Sequence, residues 1–125
     1  MIWMADIRTI SLPLWLRNAM KESKFQGELI KELKSEFPGC IVLKNDPNYI
    51  QGIPDLIVLF RDRWAALECK KEENAHHQPN QDYYISVMNN MSYARFIYPE
   101  NKEEILDELQ RSFRTRRTSR LSISE

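Results

Sequence analysis

The stretch GIPDLIVLFRDRWAALECKK, residues 52–71, reads as two short apolar runs folded back on each other across a charged turn. Leu56 to Phe60 is a continuous apolar run, the pattern of a strand buried on both faces, and Arg61-Asp62-Arg63 supplies the polar break of a hairpin. Trp64 to Lys70 is the return strand. Side chains alternate across a strand, so Leu67 and Cys69 point to one face while Ala66, Glu68 and Lys70 point to the other. Asp55 opens the outgoing strand after Pro54, whose missing amide hydrogen is tolerated at a first strand position, and an antiparallel return brings Asp55 close to Glu68.

Two carboxylates and an amine then share one small patch. Carboxylate oxygens are the hard ligands that Mg²⁺ prefers, and an ion held by only a few of them keeps waters free for chemistry on a phosphate. Lys70 is placed to orient such a water or to steady the charge that builds up. That combination suits phosphodiester hydrolysis. The plainer alternative is a turn aspartate beside a solvated Glu68–Lys70 pair.

Pro54-Asp55 followed by Glu68-Cys69-Lys70 resembles the signature of the PD-(D/E)XK nuclease superfamily, and Gly52-Ile53-Pro54-Asp55 with Gln81 downstream is most similar to its VRR-NUC branch, close to the Holliday junction resolvases. The resemblance spans roughly residues 25–99. It implies an α/β fold with a restriction-endonuclease-like core, in the order helix, three strands, helix, strand, helix, around a central mixed sheet. It further implies a Mg²⁺ site, with Mn²⁺ able to substitute, held by Glu28 from the first helix, Asp55, Glu68 and the Cys69 backbone carbonyl. Asp55, Glu68 and Lys70 would be the catalytic residues, with Lys70 positioning water and Gln81 supporting the site. The implied activity is that of a metal-dependent DNA endonuclease, structure-selective on branched DNA and acting as a twofold homodimer, because one site cuts one strand. Two other readings stay open: a sequence-directed restriction or homing-type endonuclease, and a noncatalytic nucleic-acid-binding protein on the same fold.

Upstream of the hairpin, Phe25, Leu29, Ile30, Leu33 and Phe37 form an apolar stripe at helical spacing, with Ser23 as N-cap and Pro38-Gly39 as the stop. Glu28 borders the buried face of that helix; Glu32 and Glu36 show that a solvated acid is the competing reading. Cys40 to Leu43 reads as a strand and Asn45-Asp46-Pro47-Asn48 as a loop. This loop carries Lys44, Asn48, Tyr49 and Gln51 to the mouth of the site, where they could meet phosphates or bases, with Lys44, Asn48 and Gln51 the candidate nucleic-acid contacts. Gly52 marks either a sharp turn or a close approach to a phosphate.

Downstream, Lys71 and Gln78 bound a polar, mobile stretch and are further candidate nucleic-acid contacts. The adjacent His76 and His77 within it have no second pair to complete a metal site. Pro79 to Asn90 is an amphipathic helix with the stripe Tyr83, Tyr84, Val87, Met88 and Met91, in which the tyrosines read as core before they read as base-stacking surfaces. Tyr93 to Tyr98 is a strand, and Asn101 caps a last helix through Ile105, Leu106 and Leu109.

The 125 residues suit one domain, and a composition 42% hydrophobic and 29% charged is ordinary for a globular chain. Residues 1–22 read as an arm that either packs on a partner subunit or covers the core; 23–113 form the nuclease domain; 114–125 are a basic, flexible tail. Net charge is zero, but the segment 111–120 has arginines and no acids, and Arg114, Arg116 and Arg117 are its candidate phosphate contacts. No apolar run is long enough to span a membrane and no secretory cleavage pattern is present, so an intracellular, cytoplasmic location is expected, in a bacterial or phage-infected cell. Cys40 and Cys69 are expected to be free thiols.

Overall fold

The computed structural model describes residues 11–114. Trp3 and the rest of the expected arm before residue 11, and Arg116, Arg117 and Arg120 of the tail, lie outside the described residues. The elements run α1 (Leu14–Glu36), β1 (Ile41–Lys44), β2 (Leu56–Phe60), β3 (Arg63–Cys69), α2 (Pro79–Met91), β4 (Tyr93–Ile97) and α3 (Lys102–Arg114). The molecule is therefore α/β, with three helices among the described residues and one four-stranded mixed sheet. The strands lie in chain order, β1-β2-β3-β4; the first two pairings are antiparallel and β3–β4 is parallel. A parallel neighbour needs a crossover, and α2 is that crossover.

Helix α1 starts at Leu14, not at Ser23, so the expected division between arm and domain falls inside a helix. Pro13 has no amide hydrogen to lose at a helix start, and its carbonyl accepts the N–H groups of Leu16 and Arg17 at 3.1 and 3.0 Å. Leu, Arg, Ala, Met and Lys then carry the helix on, all strong helix formers. The helix stops at Phe37, whose N–H bonds the Leu33 carbonyl at 2.8 Å before Pro38 and Gly39 (φ 89°) turn the chain.

The register places Leu56 with Leu67, Val58 with Ala65, and Cys69 with Ile97 on one face of the sheet. All six are buried against Phe25, Leu29, Leu33 and Phe37 from α1 and Ile105, Leu106, Leu109 and Phe113 from α3. Three rings fix this layer: Phe37 lies 5.4 Å from Phe60 and 5.1 Å from Phe113, in edge-on contacts. Helix α2 packs on the opposite side against β3 and β4. It buries no residue completely, and Tyr83, expected in the core, is 61% exposed. Among the described residues no helix is long and apolar enough to cross a membrane.

Phe37→Ala removes the ring that both Phe60 and Phe113 touch at a fully buried position, so it is expected to destabilise the fold by about 3–5 kcal/mol. Urea unfolding followed by circular dichroism checks this; an unchanged midpoint would mean that the three-ring cluster does not hold the two helices to the sheet.

Candidate active site

β2 begins and β3 ends at the same end of the sheet, and the chain approaches that end under tight control. The Asn45 N–H bonds the Asp55 carbonyl at 2.8 Å, and Asn45 Nδ2 bonds the Pro54 carbonyl at 2.7 Å. Gly52 has φ 90°, and a Cβ there would sit 2.3 Å from the Asn80 Cβ. Only glycine tolerates both the positive φ and this approach. The neighbour that Gly52 must clear is thus the first turn of α2, and the loop before Asp55 is pressed onto the helix that carries Gln81.

The charged groups meet here. The Asp55 N–H donates to Glu68 Oε1 (3.2 Å), and the Cys69 N–H donates to Asp55 Oδ2 (3.0 Å), so strand pairing itself sets the two carboxylates side by side. Gln81 Nε2 donates to Glu68 Oε2 (2.8 Å) while Gln81 Oε1 accepts from Lys70 Nζ (2.8 Å) and from the Gln78 N–H (3.0 Å). Lys70 Nζ also donates to the His76 carbonyl at 3.1 Å and lies 3.7 Å from Glu68 Oε2. An ammonium has three protons, so one is left for the cleft. Glu68 and Lys70 are only 3% and 7% exposed.

The third acid is Glu22, not Glu28. Carboxylate oxygens of Glu22, Asp55 and Glu68 lie within 4.8 Å of one another. Helical geometry explains the correction: Glu22 is one heptad before Leu29 and continues the buried Phe25–Leu29–Leu33 stripe toward the site, whereas Glu28 is rotated off that stripe by about 100° from Leu29. Glu28 is exposed and adds to the negative field around Lys102 on the α3 side. The heptad from Leu29 back to Glu22 was the usable signal, and it is hidden once the helix is started at Ser23.

Together these groups line a cleft of about 460 Å³ whose walls include Glu22, Ser23 and Gln26 from α1, Gln78 just before α2, and Gln81 in it. Burial, then the neighbouring Asp55 charge, raises the Glu68 carboxyl from 4.5 to about 8, with Lys70 opposing. Burial also raises Asp55, against the Cys69 N–H and Lys70, and raises Glu22, against Lys70. Yet both Glu68 oxygens accept hydrogen bonds, an arrangement built for the ionised form. A cation among the three acids resolves that conflict, and an all-carboxylate donor set suits Mg²⁺ or Mn²⁺. The residues therefore fit such an ion.

Cys69 presents no thiol to the cleft: its side chain is fully buried, and burial pushes its pKa far up. Its carbonyl leaves β3 on the Asp55 side, as its N–H does, because both groups of one extended residue face the same neighbour. Gln51 and Asn48 are exposed on the loop, Lys44 is exposed at the end of β1, and Lys71 pairs with Glu72 at 2.8 Å. Arg114 is exposed and bonded to Gln110, on a helix that packs in the α1 layer. Of the two histidines, His76 contributes its carbonyl to Lys70, and His77 stacks on Phe96 at 3.9 Å and pairs with Asp82 at 3.0 Å. Neither role was legible in the sequence, where the pair stood in a stretch read as mobile. No family model, curated protein or solved structure matches the chain.

A carboxyl that titrates near 8 in the folded state and near 4.5 ordinarily binds a proton on folding between those values. Its favourable contribution is complete below about 4.5 and is lost as pH rises through about 8, and Asp55 and Glu22 shift in the same sense. In EDTA, the melting temperature of the wild type is expected to fall across that window, and that of Glu68→Gln to fall less. Equal slopes would show that Glu68 does not carry the proton.

Proposed function

We propose that the chain is a divalent-metal-dependent nuclease that hydrolyses phosphodiester bonds in DNA. The observation that carries this reading is the convergence of three carboxylates, from α1, the residue just before β2, and β3, beside a buried lysine that shares a glutamine with one of them. The strand order, with an antiparallel hairpin followed by a helical crossover to a parallel fourth strand, is compatible with a restriction-endonuclease-like arrangement. The Pro54-Asp55 and Glu68-Cys69-Lys70 resemblance supports the same reading.

Glu22, Asp55 and Glu68, with the Cys69 carbonyl, would hold Mg²⁺. When bound, such an ion polarises a phosphoryl oxygen and lowers the pKa of water. The chain's own contribution is placement. Asp55 is held by the Cys69 N–H, and Glu68 is held from both sides by the Asp55 N–H and Gln81, so neither carboxylate has to be ordered on binding. Gln81 and the His76 carbonyl aim Lys70 Nζ, whose third proton can donate to a water or to a phosphate oxygen as negative charge grows there. Branched DNA as the preferred substrate, and a twofold pair of chains to cut both strands, are the finer parts of the proposal.

The test is incubation of the purified protein with single-stranded, linear duplex, flap and four-way DNA, with and without Mg²⁺; absence of metal-dependent cleavage of every substrate would sink the reading. Glu22→Ala is expected to lower the cleavage rate on the order of 100-fold and to weaken Mg²⁺ binding in calorimetry, while Glu28→Ala leaves both near wild type. Lys70→Ala should lose rate and keep metal affinity. A loss for Glu28→Ala matching that for Glu22→Ala would reverse the assignment of the third acid.

A further inference from the structure

The loop that delivers Asp55 also lines a second cleft, of about 540 Å³, that the proposed chemistry does not use. Its lining is mostly apolar: Ile50 and Ile53 from the loop, Ile57 from β2 and Met88 from α2. Tyr49 stands at its rim, 84% exposed. The ring is not on a slack segment. Asp46 accepts the Tyr49 N–H on its carbonyl at 3.1 Å and the Asn48 N–H on its carboxylate at 2.8 Å, so a bonded turn presents the ring to solvent over an apolar floor.

We propose that this cleft takes an unpaired nucleobase of the strand whose phosphate enters the acid-lined cleft, with Tyr49 stacking on the base. The proposal rests on the nuclease reading and specifies its substrate as one with at least one unstacked nucleotide. Continuity with the first cleft supports this occupant over an unrelated one. Ile53 lines the second cleft and Asp55 the first, a separation of at most about 7 Å of chain, which a short stretch of strand bridges. A third hollow, lined by Pro47, Gln51, Gly52 and Asn80, shares Gln78 and Gln81 with the acid-lined cleft and borders the same loop. The chemistry matches a base: a flat ring to stack on, an aliphatic floor for its face, and the second carboxylate oxygen of Asp46 to accept from an amino group. A branch point supplies such a nucleotide more cheaply than an intact duplex, because extracting a base costs unpairing and unstacking.

The test is equilibrium binding by fluorescence anisotropy, in EDTA and again with Ca²⁺, of a labelled single-stranded oligonucleotide and of a same-length strand built of abasic residues. The proteins compared are the wild type, Tyr49→Ala and Tyr49→Phe. Tyr49→Ala is expected to weaken binding of the base-containing strand roughly tenfold and leave the abasic strand unchanged, while Tyr49→Phe keeps wild-type affinity for both. Because the ring is exposed, the alanine variant is expected to fold, which melting checks. Equal loss on both strands, no loss on either, or no binding of the base-containing strand by the wild type overturns the proposal. The readout involves no cleavage, so failure of the base cleft and failure of the nuclease chemistry are distinguished.

Discussion

Glu68 and Lys70 are charged side chains held inside the protein, at the end of a strand where water has little access, and burying a charge without partners costs several kcal/mol. The Asp55 N–H and the His76 carbonyl meet part of this cost, and one side chain serves both charges. Gln81 donates to Glu68 with one end of its amide and accepts from Lys70 with the other, and the same oxygen accepts the Gln78 N–H at the start of α2. The placement of α2 thereby becomes part of the electrostatics of β3. Among the described residues, no buried side-chain nitrogen or oxygen lacks a hydrogen-bond partner.

That cluster remains electrostatically unbalanced in one direction. Lysine supplies one positive charge against Glu22, Asp55 and Glu68; burial lifts all three carboxyls, and the Asp55 charge adds to the rise of Glu22 and Glu68. A cluster whose resting state disfavours its own charges is one that would gain from a bound cation. The scaffold bears this imbalance because the acids are attached to elements fixed elsewhere: α1 through Phe25, Leu29 and Leu33, and the strand pair through its ladder.

The two faces of the sheet are treated differently, and this shapes what surrounds the site. On one face α1 and α3 close a continuous apolar core through Phe37, Phe60 and Phe113. On the other, α2 covers β3 and β4, while Ile41 and Leu43 of the outer strand β1 stay 57% and 46% exposed. The site sits where these layers end, so helices from both faces reach it, Glu22 from one and Gln81 from the other. The loop before Asp55 reaches the same end of the sheet, locked down at Gly52, and also lines the second cleft.

What could be read from the chain alone were features of short range. Leu56–Phe60 and the Arg61-Asp62 turn specify a hairpin, the hairpin's register pairs Asp55 with Glu68, and alternation puts Glu68 and Lys70 together, all from the period of a strand. Helix α2 was legible from Pro79, and α3 from Asn101 and its leucines. The third acid was not, because Pro13 and Ser23 compete as helix starts by local rules, and a start taken at Ser23 leaves Glu22 off the helix whose Phe25–Leu29–Leu33 stripe carries it to the strand ends. Tyr83 shows the same limit: helical spacing marks a stripe but does not say how much of it a two-strand surface covers. The partners of Lys70 at His76 and Gln81, the clearance between Gly52 and Asn80, and the stacking of His77 on Phe96 join residues far apart in sequence. Local propensities carry no information about such pairs; they were decided when α2 docked on the sheet, where buried charges had to find partners and the loop had to fit the space that remained.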